Sequence, residues 1–179
     1  MLKKVVSSYS AGSKFFHWLI ALIVILMLAG SFFLDDLPQQ YKHQAFMYHK
    51  SFGLTVLFLM FLRLWWLAYS GRPRLPSSVP RWQRFVARFV QYALYFFVIL
   101  MPISGWIMSV AANKIPVYFG LISLPLPGIG PNKDLSQLMD QTHKTIAWII
   151  IGLLILHIAG TIKHYFIDKD GVVNRMLPW

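Results

Sequence analysis

Six histidines carry most of the chemistry open to this 179-residue chain: His17, His43, His49, His143, His157 and His164. The sequence has no Cys and no Glu, and its six acidic residues are all Asp. Without sulfur ligands it cannot form disulfides, thiolate zinc sites, iron–sulfur clusters or covalently attached c-type haem. A metal held here is held by imidazole, the commonest metal-binding side chain.

The elements that must position these rings follow from composition. Hydrophobic residues make up 57% of the chain and charged residues 13%, against about 25% charged in an ordinary soluble domain. A bilayer is the solvent that suits such a surface. Four apolar segments, 15–34, 44–69, 85–111 and 138–166, reach the length of about 20 residues that a spanning helix needs. Pro102 and Gly105 fall inside the third, where a kink is expected. The first segment exceeds the apolar core of about 7–15 residues of a signal peptide and is read as a retained span. The expected fold class is an all-α membrane protein, a four-transmembrane-helix bundle, with residues 1–179 as one integral membrane domain.

Four spans put both termini on one side. That side carries twelve Lys and Arg with two Asp (Asp168, Asp170), and the other carries five Lys (Lys42, Lys50, Lys114, Lys133, Lys144) with four Asp. The positive-inside rule then places both termini in the cytoplasm and accounts for the formal charge of +11 without nucleic acid. The short Pro-rich connection 70–83 makes the second and third helices neighbours. The longest connection, 112–137, lies outside and is suited to a lid.

Depth sorts the histidines. His17 starts an outward-running helix and lies near the cytoplasmic face; His49 starts an inward-running helix and lies near the outer face. His143 is near the outer end of the fourth span, and His157 follows it by 14 residues. That interval is about 21 Å and nearly four whole turns, so one helix face presents both rings. The pairs expected are His49 with His143 outside and His17 with His157 inside. Zinc wants four ligands, or three and water, and no carboxylate or thiolate lies at depth to complete such a set. Two imidazoles from facing helices suit the axial positions of haem iron, so two non-covalent b-type haems are expected. Gly53 and Gly160, each about a turn from a histidine, serve either clearance beside a flat macrocycle or helix packing.

Arg63 follows His49 by 14 residues and reaches the level of the inner pair. It either meets a haem propionate or snorkels to the interface. Lys114 is a candidate for an outer propionate or a solvated loop charge. His164, one heptad past His157, can hold a propionate, pass a proton to a quinone carbonyl, or lie exposed at the interface. His43, beside Tyr41 and Lys42, reads as a solvated loop residue.

With His17-Trp18 opening the first span, His49-Lys50-Ser51-Phe52-Gly53 opening the second, Arg63, and the closing Lys163-His164-Tyr165-Phe166-Ile167-Asp168-Lys169-Asp170 with Arg175-Met176, the chain resembles the bacterial cytochrome b561 family over nearly its whole length. The resemblance implies a multi-pass inner-membrane di-haem b cytochrome that exchanges electrons with the quinone pool. It carries the haem iron ligands onto His17 with His157 and His49 with His143. One branch of that family is superoxide:ubiquinone oxidoreductase. Some members have His-His where this chain has Lys163-His164.

The function expected is electron transfer between superoxide at the periplasmic face and ubiquinone in the membrane. Lys42, Lys50, Lys114 and Lys144 would steer the anion, and His164 would supply protons to the quinone. One rival is a cytochrome b anchor subunit that passes electrons from a periplasmic redox partner to quinone. Another is a non-redox, His-lined transporter. Lipid is the surrounding medium in every case.

Overall fold

The computed structural model describes residues 7–76 and 78–177. Lys3 and Lys4, counted in the charge argument, lie outside them. Four long helices dominate: α1 (Ala11–Ser31), α2 (Gln39–Ser70), α3 (Arg81–Ala111) and α4 (Lys133–Ile162). A two-residue hairpin, β1 (Val117–Tyr118) antiparallel to β2 (Ile122–Ser123), stands between α3 and α4. After α4 the chain tightens into a π-helical turn, Lys163–Asp168, and a 3₁₀ turn, Val173–Arg175.

All four expected spans are present, and each starts four or five residues before its apolar segment. Hydropathy marks only the lipid-immersed part, whereas helix starts are set by caps. Ser10 Oγ accepts the Ser13 amide at 3.3 Å and Asn132 Oδ1 accepts the Leu135 amide at 2.9 Å. Pro38 and Pro80 directly precede α2 and α3, whose first turns are polar enough to stand in the interface. The helix α3 runs uninterrupted through Pro102.

The helices pack in sequence order, α1 on α2, α2 on α3 and, most extensively, α3 on α4. Ile20, Val56, Met60, Val98, Ile146 and Ile150, drawn from all four helices, form the buried centre. The outward faces are as apolar as the core: Phe15, Leu26, Phe58, Trp65, Phe89, Trp148 and Phe166 are all exposed. Such a surface is stable in lipid and costly in water.

Each end of the bundle is tied by side chains. At the hairpin end, Ser51 Oγ accepts the Phe119 amide at 2.8 Å, Thr55 Oγ1 meets the Tyr118 hydroxyl at 3.0 Å, and the Trp106 indole donates to the Leu124 carbonyl at 2.8 Å. At the terminal end, the Arg175 carbonyl accepts Tyr9 N and Ser8 Oγ while its guanidinium donates to the Arg74 carbonyl at 2.5 Å. Trp18 closes the same clasp on the Met176 carbonyl at 3.0 Å.

Candidate functional site

Four histidines meet in two facing pairs, as their depths require. His17 of α1 faces His157 of α4 with ring centres 6.2 Å apart; His49 of α2 faces His143 of α4 at 6.3 Å. Neither α1 with α4 nor α2 with α4 is among the closely packed helix pairs. The rings therefore look at each other across a gap rather than through interlocked backbones. Two imidazoles on opposite sides of one first-row metal ion, at a metal–nitrogen distance of about 2.0–2.1 Å, hold their ring centres about 6 Å apart. Both pairs match that spacing. Beside His49 a cleft of about 270 Å³ opens between α1 and α2, lined by Ile23, Leu26, Met27, Gly30, Leu34 and Phe52.

Hydrogen bonds set the free nitrogen of His143. Its Nδ1 lies 3.0 Å from the Met101 carbonyl and 3.0 Å from Ser104 Oγ. The Ser104 hydroxyl already gives its proton to the Met101 carbonyl at 2.7 Å. Nδ1 is therefore the donor, and Nε2 keeps its lone pair for a metal.

His17 is set differently. Arg63 Nη2 approaches its Nδ1 at 3.0 Å, and the guanidinium also lies 5.1 Å from the centre of the Tyr95 ring. A guanidinium only donates, so here Nδ1 accepts and Nε2 carries the proton. Ligation through Nε2 needs the other tautomer, and Arg63 must then turn to a new acceptor. Arg63 thus stands at the level of this pair, as its spacing from His49 requires. Beyond it, Gln91 Nε2 donates to the Tyr95 hydroxyl at 3.2 Å, and burial raises the Tyr9 phenol above its ordinary range.

His164 lies in the π-helical turn. Its Nδ1 is 2.6 Å from Asp170 Oδ2 and 3.4 Å from Asp168 Oδ2, while Lys163 Nζ holds Asp168 at 2.5 Å. The His164 and Asp170 side chains are only 13% and 9% exposed, so this is an enclosed contact and not a solvated surface pair. His43 is exposed.

The outer cations are less united than the histidines. Lys144 is paired with Asp140 at 2.7 Å. Lys50 Nζ donates to the Lys114 backbone carbonyl at 3.1 Å, which brings these two lysines together; the Lys114 side chain is exposed. Lys42, half-buried in the first turn of α2, has no hydrogen bond or ion pair to either of them.

Several partners escaped the reading of the sequence. Met101, Ser104, Tyr95 and Asp170 hold histidines or Arg63, and Gly105 lies hard against His143. The signal available was Pro102-Ile103-Ser104-Gly105 inside an apolar span, a cluster of small and helix-disfavouring residues where a neighbour comes close. Of the two glycines expected to give either clearance or helix packing, Gly160 faces open space, whereas a Cβ on Gly53 would meet Met27 and Pro102 at ordinary packing distances.

A four-helix membrane bundle with two stacked His pairs defines a class, the membrane b-type cytochromes. The family model described as prokaryotic cytochrome b561 matches residues 8–179, and the chain belongs to that family. It is 34% identical over 174 residues to cytochrome b561 homolog 2 of Escherichia coli K12, covering 94% of this chain and 90% of that one. It is 26% identical to cytochrome b561 homolog 1 of the same organism, over 95% and 97% of the two chains. A probable superoxide oxidase CybB of Yersinia pestis is 28% identical over 90% of this chain and 91% of its own. The protein is a multi-pass bacterial membrane protein that binds haem b and transfers electrons, which sets aside the non-redox transporter reading. The donor set fits the cofactor: imidazoles in opposed pairs, one with its free nitrogen fixed by a backbone carbonyl.

Proposed function

We propose that residues 1–179 form one di-haem b unit of the bacterial inner membrane that oxidises superoxide at the periplasmic face and reduces ubiquinone. In this reading His17 with His157 and His49 with His143 hold the two irons. The observation that carries it is the pair of ring separations, 6.2 and 6.3 Å, at two depths of one bundle. Haem b supplies one-electron storage and transfer when bound. The balance is two superoxide ions giving two dioxygen, with ubiquinone taking the two electrons and two protons to become ubiquinol. The likeness to a probable superoxide oxidase supports the donor.

The chain's own residues divide the remaining tasks. Lys42, Lys50 and Lys114 attract the anion to the hairpin end, and the pinned hairpin keeps water from the His49–His143 pair. Arg63 neutralises a propionate at the His17–His157 level. His164, held through Nδ1 by Asp170, presents Nε2 to the quinone and passes protons from the cytoplasm. Both termini are cytoplasmic because the basic residues lie at that end.

The test is anaerobic rapid mixing of purified protein with superoxide and a ubiquinone analogue. The expected result is fast reduction of the haem bands, followed by reoxidation with one ubiquinol formed per two superoxide consumed. Haem bands indifferent to superoxide, in protein that ubiquinol still reduces, would exclude this donor.

A further inference from the structure

The glycine beneath His143 has a use beyond helix packing. We infer that Gly105 is a positioning residue for the outer cofactor site: its missing side chain lets the His143 imidazole lie against α3 at the depth where Met101 holds it and His49 faces it. The inference rests on the reading of His49 and His143 as axial ligands.

The geometry leaves little slack. A Cβ on Gly105 would lie 2.9 Å from His143 Cε1 and 3.2 Å from Nδ1. Carbon–carbon contacts settle at about 3.5–4.0 Å, so the ring would have to retreat by about 0.5–1 Å. The ring is the tip of a side chain, but not a free one. Its Nδ1 is anchored 3.0 Å from the Met101 carbonyl, one turn before Gly105, and its ring centre stands 6.3 Å from that of His49. Metal–ligand distances tolerate about 0.2 Å, less than the retreat required. The backbone cannot yield instead, because Ser104 is 2% exposed and α3 and α4 form the most extensive helix contact. No other glycine within the four long helices meets a histidine in this way: Gly53 has ordinary contacts, and Gly30, Gly152 and Gly160 face open space.

The test compares Gly105→Ala with Gly152→Ala, His143→Ala and the unaltered chain, counting haem per chain in purified protein and recording the reduced visible and oxidised spin-resonance spectra. The unaltered chain and Gly152→Ala should carry two haems. Gly105→Ala should fall to one, with the spectrum that His143→Ala retains. Two haems with unaltered spectra in Gly105→Ala overturn the inference, whereas fewer than two in the unaltered chain overturns the di-haem reading itself. If Gly105→Ala does not accumulate, Gly105→Ala combined with His143→Ala decides. One haem in the double variant, as in His143→Ala, places the fault in the clash with the imidazole. Failure of the double variant where His143→Ala stands makes Gly105 a packing residue and ends the proposal.

Discussion

A carboxylate that accepts from one imidazole nitrogen fixes what the other nitrogen can do, and Asp170 does this for His164 at 2.6 Å. Asp170→Asn keeps the shape but removes the charge that would, on the proposed reading, stabilise an imidazolium formed in proton transfer to the quinone. Ubiquinol formation should slow by about 10-fold or more, with haem content and reduction by superoxide unchanged, as rapid mixing will show. Arg63 is the other residue whose charge matters at depth. A cation favours the reduced form of a nearby iron, so on the proposed di-haem reading Arg63→Leu should lower the midpoint potential of one haem by an amount on the order of 1–2 kcal/mol at an effective dielectric of about 20. Arg63→Lys should recover most of that, and the second haem should hold its potential in the same redox titration.

Helix existence and the two histidine pairs were legible from the sequence, because a period of 3.6 residues and a rise of about 1.5 Å convert spacing into face and depth. The helix starts were not, since Ser10, Asn132, Pro38 and Pro80 act through local backbone geometry that hydropathy ignores. The partners of the histidines were hidden for another reason. Met101 contributes only its carbonyl, which leaves no mark in residue type, and the Gly105 signal marks a close approach without saying which side chain comes near. The hairpin belongs to this scale as well, since its place over α2 depends on two hydroxyls of that helix. Ser51→Ala combined with Thr55→Val removes both supports, each worth about 1 kcal/mol. Hydrogen exchange at the Phe119 amide should accelerate by about 10-fold or more while haem content is unchanged.

Charge is organised over the molecule as a whole, with a basic terminal end and a nearly neutral hairpin end. At the hairpin end arrangement outweighs the sum: Lys144 is spent on Asp140, while Lys50 and Lys114 gather at the loop. Reversing Lys42 and Lys114 to Glu should slow haem reduction by superoxide about 10-fold at low ionic strength and flatten its salt dependence. Reduction by ubiquinol should be unaffected in the same stopped-flow series.

The helix α4 contributes one ring to each pair, while α1 and α2 contribute one apiece. During synthesis α4 is the last of the four to leave the ribosome. A chain arrested after α3 therefore exposes His17 and His49 with no opposite imidazole, and no iron placed there could be held from both sides. On the proposed reading, ligation by two imidazoles therefore waits for α4, and a chain arrested before it offers an iron one ring at a time.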